Sequence, residues 1–238
     1  MIVPHIPKKF QLVIACAVLF ALLQLWMPQF IYQRDVMTSE PWRWWTAQWV
    51  HVGWRHYLLN MMAFTCLPFI FPQSGRFKLL SALLVLSPMV SVGLYWFFPT
   101  VYAYAGLSGV LHGLYTWAAL MVLFPSHASF HYSVVRHQQT NGHPMTIQSQ
   151  SSMQYLLRYI VSEKKFALFV LFTVIVKVLV EKKIGHTDTE RLIGAHVLIQ
   201  AHQIGLVVGI IYFSLRYGWY KFNAAKFSDK LAAQSKEY

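Results

Sequence analysis

The chain has 238 residues and a net charge of +12, with 56% hydrophobic and only 12% charged residues, and its mean hydropathy is +0.42. A soluble domain of this size carries about twice that charged fraction, so the composition excludes an ordinary soluble enzyme and reads as an all-α polytopic membrane protein. The basic residues flank the apolar segments without forming a nucleic-acid-binding motif, which excludes nucleic acid as a partner. Cys16 and Cys66 both lie in apolar runs, which excludes a disulfide framework and a Cys-x-x-Cys site.

Six apolar runs follow in order, at about 10–27, 56–72, 78–98, 106–125, 166–181 and 194–216, each near the ~20 residues that cross ~30 Å of hydrocarbon. The first follows Lys8 and Lys9 as a signal peptide would. It is longer than the usual ~7–15-residue h-region and no Ala-x-Ala site follows, so it is read as a retained first helix. Residues 28–55 hold Trp42, Trp44, Trp45, Trp49 and Trp54; this density of indoles suits a segment lying partly in the headgroup layer. Residues 126–164 are rich in Gln, Ser and His and read as an extended cytoplasmic loop; the spacing of His127, His131, His137 and His143 fits no zinc pattern, and no metal site is expected. The tail 221–238 is basic and suits an anionic inner leaflet, leaving 1–220 as the membrane domain. The Lys and Arg bias puts both termini in the cytoplasm. The start of run four and the first half of run six then share the outer face.

Chemistry is expected where reactive groups sit beside close-packing helices. Run four opens with Gly106-Leu107-Ser108-Gly109, and Gly109 and Gly113 form a small-residue stripe. Run six carries Ala201, Gly205 and Gly209 as a second stripe beside His202. Small-xxx-small stripes let two helices approach closely, and an ionisable group deep in a span is a functional candidate. If the stripes face each other, His202 reaches Ser108. Serine needs such a base to become a nucleophile. None of the eight carboxylates lies within runs two, four or six, so the expected arrangement is a Ser-His dyad rather than a triad. The same absence excludes an intramembrane aspartyl protease, and the lack of His-Glu-x-x-His excludes that class of zinc protease. His56 and Asn60 share one face of run two. They either satisfy one another or, with the Ser108 N–H, donate to a developing oxyanion.

Taken together these residues resemble the rhomboid intramembrane serine proteases. Gly106-x-Ser108-Gly109 is similar to the nucleophile motif, and Ala201-His202-x-x-Gly205-x-x-x-Gly209 to the histidine motif. Trp42-Arg43 is similar to the first-loop Trp-Arg motif, and His56-x-x-x-Asn60 to the oxyanion pair. Residues 106–113, the Lys177…Glu181 stretch and the Ala-His motif resemble the rhombosortases most. The resemblance implies a six-transmembrane-helix rhomboid-like fold in a bacterial inner membrane and no cofactor. It also implies substrates anchored by a C-terminal Gly-Gly-type transmembrane tail and cut at the outer face. Two positions depart from the family pattern: Ala47 replaces a frequent His, and His112 replaces a frequent Tyr one turn after the serine. His112 would orient His202 or compete as base. The alternatives are a rhomboid-like pseudoprotease that binds membrane helices and a haem protein using His51, His56, His112, His196 and His202. Retention of both Ser108 and His202 opposes the first. The second leaves Ser108, Asn60 and the glycine stripes without a role, and His196, on another face from His202, is read as a near-surface structural residue.

Overall fold

A computed structural model describes residues 7–125, 150–185, 190, 194 and 196–234. Helices dominate: α1 (Lys8–Gln24), the short α2 (Arg43–Thr46), α3 (Trp54–Ile70), α4 (Arg76–Phe97), α5 (Ser108–Leu123), α6 (Gln150–Ile184) and α7 (Ile199–Gln234). Three of them stop at the same dipeptide. Phe71-Pro72, Phe98-Pro99 and Phe124-Pro125 follow α3, α4 and α5, and each Phe has left the helical region, with ψ of 73°, 72° and 71°. The ring of a following proline clashes with a helical residue before it, so the chain turns there. Pro68 and Pro88 lie inside α3 and α4, which packed neighbours make tolerable in a membrane helix.

Among the described residues one helix, Arg76–Phe97, is long and apolar enough by itself to cross a membrane; Phe10–Gln24 and Ser108–Leu123 are apolar but shorter. Two helices overrun their apolar runs. Residues 150–164, expected within the polar loop, are the first turns of α6. No Gly or Pro occurs between Gln150 and Ile184, and Met153, Leu156, Leu157 and Ile160 keep helical spacing. Gly185, at φ 78°, ends the helix as a left-handed residue should. The remainder of the expected loop, 126–149, lies outside the described residues. The basic segment from Lys221 continues α7 as far as Gln234.

α5 is the central helix. Val110, Leu114, Trp117, Ala118 and Ala119 on it are buried, and it packs against α3, α4, α6 and, most extensively, α7. The outer helices turn Leu22, Leu58, Met62, Phe97, Phe172 and Leu215 outward, an apolar perimeter suited to lipid. Hydrogen bonds tie neighbours together: Tyr57 Oη donates to Ala17 O at 2.7 Å, Tyr115 Oη to Ala63 O at 2.8 Å, and the Ser81 and Tyr212 hydroxyls meet at 2.9 Å.

The Trp-rich first loop folds into structure. Arg43 is buried; its Nε meets Glu40 Oε2 at 2.6 Å, and its Nη1 donates to Pro28 O at 3.0 Å and Ile31 O at 2.8 Å. Trp42 Nε1 donates to Gln29 O, Trp45 Nε1 to Leu84 O and Trp49 Nε1 to Ser87 Oγ, so the loop is stitched to itself and to α4. Two short strands, β1 (Tyr32–Gln33) and β2 (Ala103–Tyr104), pair antiparallel with Tyr32 opposite Tyr104. This ladder fixes the chain just ahead of Ser108.

Candidate active site

The two glycine stripes meet. A Cβ built on Gly205 would lie 1.9 Å from Gly109 O, one on Gly209 2.6 Å from Gly113 O, and one on Gly109 2.9 Å from Ala201 O. Backbone meets backbone along α5 and α7, an approach only small residues permit. The crossing brings Ser108 Oγ to 3.0 Å from His202 Nε2, within hydrogen-bond range.

The turn carrying Ser108 is held from three sides. Gly106 N–H donates to Ala47 O at 3.0 Å, a contact that needs only the backbone of residue 47 and so is indifferent to the missing His. Leu107 N–H points to His51 Nε2 at 3.4 Å. Tyr104 Oη donates to Gly106 O at 2.5 Å and receives the Gly109 N–H at 3.4 Å. Burial, with the nearby His56, pushes the His51 pKa down to about 3. His51 therefore stays neutral and keeps its Nε2 lone pair for Leu107 over the whole physiological range. Burial likewise pushes the Tyr104 phenol up to about 12, so it remains a donor. Gly106 adopts φ 140°, and a Cβ there would lie 2.6 Å from His56 Cε1; both the backbone and the space require glycine.

His202 is buried and has three close partners. Besides Ser108, its Nδ1 lies 2.7 Å from Glu181 Oε2, and its ring stacks on His112 with centroids 4.2 Å apart and planes at 20°. Glu181 Oε1 accepts from Lys177 Nζ at 2.5 Å. The expected two-residue arrangement is thus joined by a carboxylate on α6. His112 does not aim at the serine hydroxyl. Its Nδ1 is 2.7 Å from Ser108 O; a carbonyl only accepts, so Nδ1 carries the proton. Its Nε2 then faces Lys177 Nζ at 3.4 Å. His112 stacks on His202 and does not take its place beside the Ser108 hydroxyl.

His112, Glu181 and His202 bring donor atoms within 4.8 Å of one another, which prompts a metal reading. The two rings are nearly parallel, so their in-plane lone pairs run side by side instead of converging on one ion; Glu181 and His202 share a hydrogen bond, and His112 stacks on His202. The haem arrangement fares no better. His112 and His202 stack face to face, and His51 and His56 meet edge to face at 5.1 Å, so neither pair aims its ring nitrogens at each other from opposite faces of a macrocycle. His196 is exposed, with Nδ1 3.6 Å from Glu190 Oε1.

His56 and Asn60 are buried on α3, and His56 Nδ1 and Asn60 Nδ2 have no hydrogen-bond partner among the described residues. They do not satisfy one another through these atoms. Both residues line a cavity of about 480 Å³ together with Ser108, His202, Tyr115 and Lys177. A buried amide donor without an acceptor costs ~1–3 kcal/mol, which an oxyanion beside Ser108 would relieve. A second cavity, of about 330 Å³, also reaches Ser108, past Tyr104, Val52, His196 and Leu198. Trp42 and Arg43 touch neither cavity; they brace the loop that supplies Ala47 and His51.

Reasoning on the sequence missed Glu181, Tyr104 and His51 as parts of this site. A signal existed for the first: Lys177 and Glu181 are an i,i+4 charge pair in an apolar run, and charged residues there are functional candidates by default. No periodic signal marks the other two. Comparison with protein families gives a match to the Rhomboid domain over residues 38–219, more than half of the chain. Comparison with curated proteins gives no match.

Proposed function

The chain belongs to the rhomboid family, and on that premise we propose that it is an intramembrane serine endopeptidase with Ser108 as nucleophile and His202 as base. Membership makes it a membrane protein of a family that generally comprises intramembrane serine proteases. The observation that carries the assignment is the 3.0 Å contact between Ser108 Oγ and His202 Nε2 at the wall of a cavity. Ser108 Oγ attacks the scissile carbonyl while His202 Nε2 takes its proton and then passes it to the leaving amine. Asn60, His56 and the Ser108 N–H receive the oxyanion. Ser108 is the first residue of α5, where N–H groups have no intrahelical acceptor. Water then hydrolyses the acyl-enzyme.

The finer reading follows the rhombosortase resemblance. In it, six helices span a bacterial inner membrane with both termini cytoplasmic, 1–220 forms the membrane domain, and 221–238 is a basic cytoplasmic tail. Substrates are exported proteins with a C-terminal Gly-Gly-type transmembrane tail, cut at the outer face. The cavity supports lateral entry from the bilayer, because its walls come from α3 (Leu59, Ala63) and α6 (Phe169, Thr173). Small residues at the cut site let an extended backbone reach the serine between those helices.

The test is a reporter fused to such a tail and reconstituted with the protein in vesicles, with release of soluble reporter as the readout. Release from the Gly-Gly tail, and little from a Val-Val version, is expected; equal release from both would remove the proposed substrate class. Asn60→Ala is expected to lower kcat by ~100–1000-fold with KM little changed, the effect of losing one oxyanion donor. A KM effect alone would assign Asn60 to substrate binding instead. His196→Ala is expected to cleave at the normal rate.

A further inference from the structure

We propose that Glu181 is a positioning residue for His202, so that the Ser108–His202 pair works as a three-residue triad braced by Lys177. This rests on the assignment of Ser108 and His202 above and extends it to a carboxylate on a different helix.

The hydrogen-bond chain runs Lys177 Nζ to Glu181 Oε1 at 2.5 Å, Glu181 Oε2 to His202 Nδ1 at 2.7 Å, and His202 Nε2 to Ser108 Oγ at 3.0 Å. A carboxylate accepts at both oxygens. With Lys177 donating to one oxygen, the other takes a proton from His202, and Nδ1 is the nitrogen that faces it. The neutral imidazole then has its free lone pair on Nε2, directed at the serine hydroxyl. The opposite tautomer would set a lone pair against a carboxylate and a donor against the hydroxyl. The side chain of Glu181 is only 8% exposed, so water does not compete for this bond.

Ring orientation is settled as well. His112 covers one face of His202 and is itself held by Ser108 O and Lys177. The carboxylate pins the ring edge on α7 from α6. Lys177 thus holds both the acceptor that selects the tautomer and the ring that limits tilt.

The electrons balance without proton transfer to Glu181. The Ser108 O–H bond breaks as Nε2–H forms, Oγ bonds to the carbonyl carbon, and the C=O π pair moves to oxygen. The imidazolium formed keeps its Nδ1–H on the carboxylate side. When the C–N bond breaks, Nε2–H goes to the leaving nitrogen and neutral imidazole returns. Glu181 stabilises the charged intermediate because its negative charge is already in place beside the ring.

A bland reading is that Glu181 merely ties α6 to α7. The two readings part on kinetics. The full chain and its Glu181→Gln, Glu181→Asp and Lys177→Met variants are purified and compared for kcat, KM, rate of Ser108 labelling by a fluorophosphonate, and thermal unfolding. Glu181→Gln is expected to lower kcat by ~10⁴-fold, the scale seen when a triad carboxylate is made an amide. KM should stay within about twofold, labelling should fall in parallel, and unfolding should be little changed. Glu181→Asp should recover part of the kcat loss, and Lys177→Met should show the same pattern more weakly. Wild-type kcat and labelling in Glu181→Gln would overturn the proposal. So would activity losses in Glu181→Asp and Lys177→Met that merely track lost folded protein. If Ser108→Ala still cleaves, the earlier assignment falls; if Ser108→Ala is dead and Glu181→Gln is normal, only the role of Glu181 falls.

Discussion

Ser108→Ala leaves the tail-anchored reporter membrane-bound, with cleavage reduced by ~10⁶-fold, the order found for removing a serine nucleophile. His202→Ala falls equally far, and the double variant falls no further, because hydroxyl and imidazole act in one step and their losses do not add. The 3.0 Å contact is what couples them. The residual rate in each variant comes from substrate binding and from Asn60, His56 and the backbone amide. Quantifying released reporter against total reporter checks all three variants. Cleavage by Ser108→Ala at the normal rate would end the assignment of the nucleophile.

Gly205→Val destroys the protein more broadly. Its Cβ would lie 1.9 Å from Gly109 O and 2.8 Å from Gly109 C, and those are backbone atoms of the central helix, which cannot rotate aside as a side chain would. The helices must separate, and overpacking of this kind costs ~3 kcal/mol or more. Separation also draws His202 away from Ser108, so activity and thermal stability fall together. Gly218 provides the contrast on the same helix. Nothing lies within 4 Å of a Cβ built there, so Gly218→Ala should keep activity and gain up to ~1 kcal/mol from helix propensity. Unfolding in detergent measures both. A Gly205→Val protein that melts normally and cleaves normally would show that α5 and α7 do not touch through their glycines.

What could be read from the residues was what helical period and local chemistry encode. Gly109, Gly113, Ala201, Gly205 and Gly209 repeat at four-residue intervals, so a contact stripe is visible before any helix is placed. Ser108 and His202 sit one residue from those stripes, and His56 and Asn60 are one turn apart. Glu181 escaped because it lies 21 residues from His202 in the chain, and its reach depends on how α6 crosses α7, which no local pattern states. The expectation of a dyad came from asking which carboxylates lie within three of the runs; the one at the end of the fifth run supplies the third partner from outside them. Tyr104 and His51 act through a turn, where spacing carries no period. Residues 150–164 read as loop because they continue a Gln-, Ser- and His-rich stretch and carry Arg158, Glu163 and Lys164, although the apolar period of Met153, Leu156, Leu157 and Ile160 propagates the helix.

α5 has 16 residues, about 24 Å at 1.5 Å per residue, and so falls short of a ~30 Å hydrocarbon layer. On the serine side, residues 105–107 run as non-helical backbone. Peptide groups that faced acyl chains at that depth would have no water to turn to. Here Ala47 and His51 of the folded first loop, with Tyr104 of β2, substitute for solvent and take up the peptide dipoles around Gly106 and Leu107. Trp42 and Arg43 line neither cavity at Ser108, yet by bracing this loop they keep the irregular main chain ahead of α5 supplied with hydrogen-bond partners.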